Sequence, residues 1–306
     1  MRLGVLLIAL AGLAWGTTGS VTTVLVHRAG AEPLLIGAVR LWLAALLLVP
    51  AARLGGGLPP RGSALGAGLG MGAAMAAFQA SYFTAVTMTG IAVAALVAIC
   101  SAPLMIAALA ILFLGERLTA RLGLALALGV GGTALLVAGP DPGGASPRSA
   151  GGLALALGAG LAYAVYAVTA KAFVQRTSAL GLTAFSFAAA AVVSTPLALS
   201  VTDPLGQVAR GWPWLLYLGG VATAGAYALY ALGLRGVPAS VAGVVTLIEP
   251  LTATALGVLV FGERLGAAGL VGAVLLVGAI GLLVAGEFRG RSRHVSLPGS
   301  AGTPPG

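Results

Sequence analysis

Charge is scarce in this sequence. Only 8% of its 306 residues are charged, 59% are hydrophobic, and the mean hydropathy is +1.07. Soluble domains carry about 25% charged and about 45–50% apolar residues, so a water-soluble fold would lack the polar surface to stay solvated. Lipid must be the solvent for most of the chain. Cysteine is nearly absent as well. Cys100 stands alone and excludes an intramolecular disulfide. Two histidines, His27 and His294, and two aspartates, Asp141 and Asp203, are too few and too scattered for a metal site or a hydrolytic constellation. The one lysine, Lys171, has no glycine before it. There is thus no Walker-type phosphate loop, and neither a cofactor nor ATP-driven pumping is expected.

Lysine and arginine outnumber the acidic residues, 16 to 7. They are scattered between apolar runs rather than gathered on one stripe, which argues against a nucleic-acid partner. Small residues are abundant instead, with 48 glycines and no strict glycine period. Membrane helices pack through such residues because they let backbones approach closely. Small-residue faces permit a homodimer without requiring one.

A helix crossing about 30 Å of hydrocarbon needs roughly 20 predominantly apolar residues. Counted in those units, the chain offers ten spans: Leu3–Leu25, Pro33–Ala51, Ala64–Val86, Ile91–Leu114, Thr119–Ala138, Ala150–Ala170, Leu180–Val201, Gly211–Gly233, Pro238–Phe261 and Leu265–Gly286. The runs are too long and continuous for barrel strands. The first run exceeds the usual signal-peptide core and is followed by nine more, so it is read as a transmembrane helix. With the N-terminus in the cytoplasm, inside segments hold 11 basic residues and outside segments 4, Arg40 lying within a span. The positive-inside rule then places both termini in the cytoplasm, and a multi-pass protein of the plasma (inner) membrane is expected.

The chain also repeats itself. Pro103-Leu104 is followed eleven residues on by Gly115-Glu116-Arg117-Leu118, and Pro250-Leu251 at the same spacing by Gly262-Glu263-Arg264-Leu265. Without gaps, 103–139 and 250–286 share 18 identities in 37 positions, at an offset of 147. Gly12-Leu13-Ala14-Trp15 finds an echo in Gly160-Leu161-Ala162-Tyr163. Five spans per half is an odd number, so the second copy must enter the membrane from the opposite side. The expected architecture is therefore all-α: ten transmembrane helices in two inverted five-helix repeats. Residues 1–138 form the first repeat, 139–149 a Gly/Pro/Ser linker, 150–286 the second repeat, and 287–306 a disordered basic cytoplasmic tail. Inverted repeats can exchange conformations and open a shared site to either side in turn.

These motifs resemble those of the drug/metabolite transporter superfamily, and within it the EamA-type family of ten-helix carriers. Trp15-Gly16, Arg40 within Val-Arg-Leu-Trp-Leu-Ala-Ala-Leu, Pro103 and the first Gly-Glu-Arg-Leu carry the likeness in the first half. Leu-Ala-Tyr-Ala-Val-Tyr-Ala at 161–167, Lys171, Ile248-Glu249-Pro250-Leu251 and the second Gly-Glu-Arg-Leu carry it in the second. The resemblance covers nearly all of residues 3–286 and implies ATP-independent export or exchange of amino acids, other metabolites, nucleotide sugars or drugs.

Glu249 lies about eleven residues into the ninth span, roughly 16 Å along it and near the midplane. An ionised acid there costs about 2.5–3.5 kcal/mol on insertion scales. A proton-coupling role stands beside two plainer ones, an interhelical hydrogen bond and structural pairing with Arg40. Arg40, some 9 Å deep, is expected to hold an anionic substrate group, to neutralise Glu249, or to snorkel outward. Trp15, Gln79, Tyr82, Tyr163, Tyr166, Tyr227 and Tyr230 are candidates for a cavity that is apolar with a few polar handles, helix packing being the alternative. Pro103 and Pro250 interrupt helix hydrogen bonding and are candidate matched bends. Lys171 is expected to snorkel to the surface, and Glu116 and Glu263 to serve their turns.

The expected function is secondary transport of a small metabolite or drug, as an exporter, by alternating access around a cavity between the repeats, with protons as a candidate coupling ion. The alternatives are a passive facilitator without proton coupling and a polytopic sensor or enzyme. The last would need a reactive constellation that the sequence does not offer.

Overall fold

The structure, a computed structural model, describes residues 2–57, 59–137, 150–262 and 266–292. Every regular element among them is helical. The helices are α1 (Arg2–Gly16), α2 (Thr18–Ala29), α3 (Pro33–Leu54), α4 (Ser63–Thr89), α5 (Ile91–Leu114), α6 (Ala120–Val137), α7 (Ala150–Phe173), α8 (Ala179–Leu199) and α9 (Pro204–Gly219). A π-helical segment, Gly220–Gly225, leads into α10 (Ala226–Leu234), followed by α11 (Ala239–Val245), α12 (Ile248–Phe261) and α13 (Ala267–Ser292).

Among the described residues, eight helical stretches are long and apolar enough to cross a membrane, and Ala120–Leu136 is a shorter apolar helix. Helix α4 has the length, at 27 residues, or about 40 Å. Its apolar run is diluted by glycines and by Gln79, Ser81, Tyr82, Thr84 and Thr87. Every expected span overlaps helical structure. The eighth begins earlier than expected, at Pro204 rather than Gly211, because Asp203 caps it. The Asp203 carboxylate accepts from Gly206 N at 3.1 Å, and Pro204 occupies the first turn, where its missing N–H costs nothing. The last helix runs through Ser292, past the expected end at Gly286. The linker at 139–149, the Glu263-Arg264-Leu265 turn and the tail beyond Ser292 lie outside the described residues.

The boundaries follow local chemistry. Gly30, Gly115 and Gly262 end α2, α5 and α12 at φ of 63°, 67° and 71°, a left-handed conformation that glycine adopts without a Cβ clash. Ser178 caps α8 by accepting from Gly181 N at 3.1 Å.

Close packing between helices runs through small residues. A Cβ added to Gly4 would lie 2.8 Å from the Gly233 carbonyl oxygen, and one on Gly132 would lie 2.8 Å from that of Gly272. These pairs bring α1 onto α10 and α6 onto α13 at near backbone contact. Two further contacts match across the sequence repeat. Gly12 of α1 packs on Ile248 of α12, and Gly160 of α7 packs on Ser101 of α5. Gly12 and Gly160 occupy equivalent positions in the repeat, and so do Ser101 and Ile248.

Three membrane-length stretches are irregular where they meet. Between α1 and α2 the helix breaks at Thr17, whose hydroxyl donates to Ala14 O at 2.7 Å and lies 2.9 Å from the Tyr217 hydroxyl. The stretch 204–234 carries the π-helical segment at Gly220–Gly225. The stretch 239–261 is interrupted at Thr246-Leu247, one turn before Pro250, whose missing N–H removes a ladder bond. Pro103, the repeat partner of Pro250, sits inside α5 without interrupting it. The expected pair of bends is thus unequal.

Candidate functional site

The irregular segments surround a cluster of aromatic rings in the interior. Trp15 of α1 is at its centre and is only 6% exposed. Its ring lies 4.8 Å from that of Tyr227, 5.4 Å from Tyr230 and 6.2 Å from Tyr163, the last edge-on at 88°. Tyr166 meets Tyr227 edge-on at 5.6 Å, and Phe187 meets Tyr227 at 4.7 Å. Phe78 links Tyr163, at 6.0 Å, to Tyr82, at 5.9 Å. Helices α1, α4, α7, α8 and α10 thereby contribute to one continuous surface, with ring separations in the range of favourable aromatic pairing.

Polar groups gather beside it. Arg40 of α3 is 9% exposed, and its Nε donates to Thr223 Oγ1 at 3.0 Å. Thr223 sits in the π-helical segment and itself donates to Leu218 O, five residues back, at 2.7 Å. The extra residue of the π turn thus places a hydroxyl where Arg40 can use it. Arg40 turns inward to the second half of the chain rather than snorkelling to the surface. Its guanidinium is within electrostatic reach of Glu249, Tyr82 and Tyr227, yet no ion pair joins it to Glu249. Among the described residues the ion pair is Arg210 with Asp203, 3.3 Å apart and exposed. Glu249 also lies within electrostatic reach of Tyr163. Gly16 positions the Glu249 backbone: a Cβ there would stand 2.6 Å from the Glu249 carbonyl oxygen. Helix α1 therefore presses onto α12 at the residue in question.

Several of these groups lack partners. The indole N–H of Trp15 and the hydroxyls of Tyr163 and Tyr230 are buried without a well-formed hydrogen bond, although the two hydroxyls lie near one another. Tyr227 has only the sulfur of Met75, at 3.8 Å. Tyr82, Tyr163 and Glu249 sit deep among the helices yet retain intermediate exposure. Gln79, 7% exposed, lies on the same helix as Phe78 and Tyr82, with its amide oxygen facing Gly37 of α3. The ring contacts and electrostatic neighbours link Trp15, Arg40, Tyr82, Tyr163, Tyr166, Tyr227, Tyr230 and Glu249 in one region, and Gln79 lies one turn from Tyr82 on α4. Buried polar groups are ordinarily paired. A concentration of unpaired ones beside aromatic rings is suited to binding a small amphipathic molecule.

The comparisons with known proteins agree on what kind of protein holds this site. The profile of the EamA-like transporter family matches residues 2–138 and again residues 150–285. The chain belongs to that family. It is similar to the uncharacterized transporter YwfM of Bacillus subtilis (strain 168), 36% identical over 279 residues, covering 91% of this chain and 92% of that one. It is also similar to an uncharacterized transporter of Archaeoglobus fulgidus, 29% identical over 282 residues, covering 92% and 96%. Among solved structures, a crystal structure shares the fold with a TM-score of 0.78 at 23% identity, covering 94% of this chain and 98% of that one. This EamA-like transporter is accordingly a multi-pass membrane protein, and its family and relatives point to transport rather than catalysis.

Sequence reasoning missed Phe78, Phe187 and Thr223 in the transporter's interior. Phe78 was accessible to inference, standing beside Gln79 and one turn before Tyr82. Phe187 and Thr223 carry no local signal. At one end of the helices, an open groove of about 450 Å³ is lined by Glu116, Lys171, Arg235 and Pro238 among others. Lys171 lines this groove at intermediate exposure, and its ammonium donates to Leu234 O at 2.7 Å and ties the end of α10. Among the described residues no group of His, Cys, Asp and Glu is arranged to hold a metal.

Proposed function

We propose that the chain is a secondary transporter that moves a small organic molecule by alternating access around the aromatic and polar site, between two inverted five-helix repeats. The observation that carries this is the site itself, a deep set of unpaired polar groups around Trp15 drawn from both halves. The double match of the family profile and the equivalent Gly12–Ile248 and Gly160–Ser101 contacts support a duplicated architecture. Eight apolar stretches, the shorter Ala120–Leu136 and the diluted α4 are together consistent with ten crossings. An odd number per half then sets the two copies in opposite orientations, with Glu249 near the middle.

The interruptions at Thr17, Gly220–Gly225 and Thr246-Leu247 support the same view. Broken helices persist at membrane depth where they line a site, because their freed backbone groups need polar surroundings. They also give the helices places to bend as the site changes sides. Net direction follows the gradients of substrate and coupling ion, and outward movement is the physiological direction proposed.

The test is flux. Purified protein in liposomes is screened with labelled amino acids, purines, carboxylates and cationic drugs, with and without a pH gradient. Saturable, substrate-selective uptake that fails in a Trp15→Ala variant is the expected result. No flux of any compound through protein shown to be folded and inserted would overturn it in favour of a sensor or assembly role.

A further inference from the structure

The central site holds one fixed positive charge and one carboxyl group, and they are not paired with each other. Arg40 is held only at Nε, by Thr223. No described residue accepts from its two terminal amino groups, although the residue is more than nine-tenths buried. A planar guanidinium fixed at Nε presents a fork of parallel N–H donors, the geometry that matches a carboxylate bidentately. Tyr82 and Tyr227 lie within electrostatic reach of the fork, and Tyr227 continues into the ring of Trp15 at 4.8 Å, so the body of a ligand held there would meet aromatic surface.

Charge then constrains what can occupy the site. Glu249 is within electrostatic reach of Arg40 but forms no ion pair with it. In an enclosed site, one guanidinium can balance one negative charge, and a second is left uncompensated at a cost of several kcal/mol. A bound carboxylate and an ionised Glu249 therefore exclude each other, and a phosphate-ester dianion fits neither state. The empty site is balanced by Arg40 and ionised Glu249. The occupied site is balanced by Arg40 and the ligand, with Glu249 carrying a proton.

Among the described residues, the groups facing Glu249 contain no other charge that would relax this constraint. Arg40 of α3, Tyr82 of α4, Tyr163 of α7 and Tyr227 of α10 face it. Helices α1 and α2 also pack on α12, and their ionisable residues, Arg2, His27 and Arg28, stand at the far ends. Helix α6 carries only Arg121, in its first turn, and α13 carries charge only in its last two turns.

We propose that the ligand is a small monocarboxylate with an apolar or aromatic body, bound through the Arg40 fork, and that its binding obliges Glu249 to take up one proton. Carried across together and released on the other side, the two form an electroneutral carboxylate–proton symport. The transport step rests on the carrier reading above, whereas the linkage between binding and protonation does not.

Equilibrium binding to the detergent-purified full chain tests the linkage without flux. The probes are 3-phenylpropionate and indole-3-acetate, with 3-phenylpropionamide as the uncharged isostere. Calorimetry in buffers of different ionisation enthalpy reads protons taken up per ligand bound. At a pH where the empty site holds ionised Glu249, about one proton per carboxylate is expected, with affinity falling about tenfold per pH unit. The amide should not compete. Glu249→Gln should bind the carboxylates with no proton uptake and no pH dependence over the same range. Arg40→Gln should lose about 10–100-fold in affinity, the usual consequence of deleting a charged hydrogen-bonding partner, and Arg40→Lys, which keeps the charge without the fork, should lose less. Cooperative melting and a monodisperse elution profile establish that each variant is folded.

Carboxylate binding without proton uptake would overturn the linkage, as would equal binding of the amide. Failure of both carboxylates to bind folded wild-type protein would overturn the ligand class. Linked binding without flux in liposomes would leave this proposal standing and count against the carrier reading instead.

Discussion

Glu116 caps a helix in the other half of the chain: its carboxylate accepts from Ala239 N at 2.7 Å and from Ser240 N at 3.1 Å. The Ser240 hydroxyl also donates to it. These are N–H groups of the first turn of α11, which has no side-chain cap of its own and would otherwise leave them orphaned. A carboxylate suits this position both as an acceptor and as a negative charge at a helix N-terminus.

Glu116→Ala is therefore expected to lower stability by about 1–3 kcal/mol, since it strands buried backbone donors. Glu116→Gln should cost less, because one acceptor survives. Arg117→Ala, at the exposed neighbouring position, should change little. Thermal unfolding of the three variants in one detergent checks the order. Equal melting temperatures would show that solvent replaces the cap without loss.

The equivalent contacts of Gly12 and Gly160 make a second prediction. A side chain at Gly12 would run into Ile248, and one at Gly160 into Ser101, the latter also 3.1 Å from the Ala98 carbonyl oxygen. Gly12→Val and Gly160→Val should each cost about 1–3 kcal/mol through overpacking. Gly19→Ala meets nothing within 4 Å and should be neutral or slightly stabilising. Yield of monodisperse protein and melting temperature measure this. A strong effect at one glycine and none at the other would argue against equivalent roles for the two contacts.

What was legible in the sequence was legible through length and repetition. Runs of about 20 apolar residues must be satisfied by their own backbone in lipid, so helices could be located directly. The Gly-Glu-Arg-Leu string drew attention to Glu116, but its partners are more than 120 residues away, and local reading kept it within its own turn. Pro250 announced a break and Pro103 announced the same one. Only the first has it, and α5 runs on unbroken through Pro103. The π segment at Gly220–Gly225 is spelled with glycines, alanines, valine and threonine, which fit an ordinary membrane helix equally well. Thr223 acquires its meaning from Arg40, 183 residues earlier.

Thr223 joins that arginine to the π turn, so removing its hydroxyl should act on both. Thr223→Val keeps the shape but deletes the acceptor for Arg40 Nε and the donor to Leu218 O. A cost of about 1.5–3 kcal/mol is expected for loss of a hydrogen bond to a charged group. Thr223→Ser should restore most of it. Transport, once a substrate is in hand, should suffer in the valine variant and recover in the serine variant. Identical behaviour of the two would mean that the hydroxyl does not position Arg40.

The unpaired donors around Trp15 permit stability and function to be separated. Trp15 Nε1, Tyr163 Oη and Tyr230 Oη have no well-formed bond in the protein, so deleting them strands nothing. Tyr163→Phe and Tyr230→Phe should melt within about 0.5 kcal/mol of the wild type, as expected where no interaction is lost. Trp15→Phe removes its donor and leaves a smaller ring, and should cost about 1–2 kcal/mol through packing alone. If these groups are kept polar for a ligand, the two tyrosine variants should show a raised KM at unchanged stability, because the hydrogen bonds they lose form only when the site is occupied. A drop in melting temperature with unchanged KM would assign the hydroxyls to the fold, with each bonded to the other or to water inside the empty site.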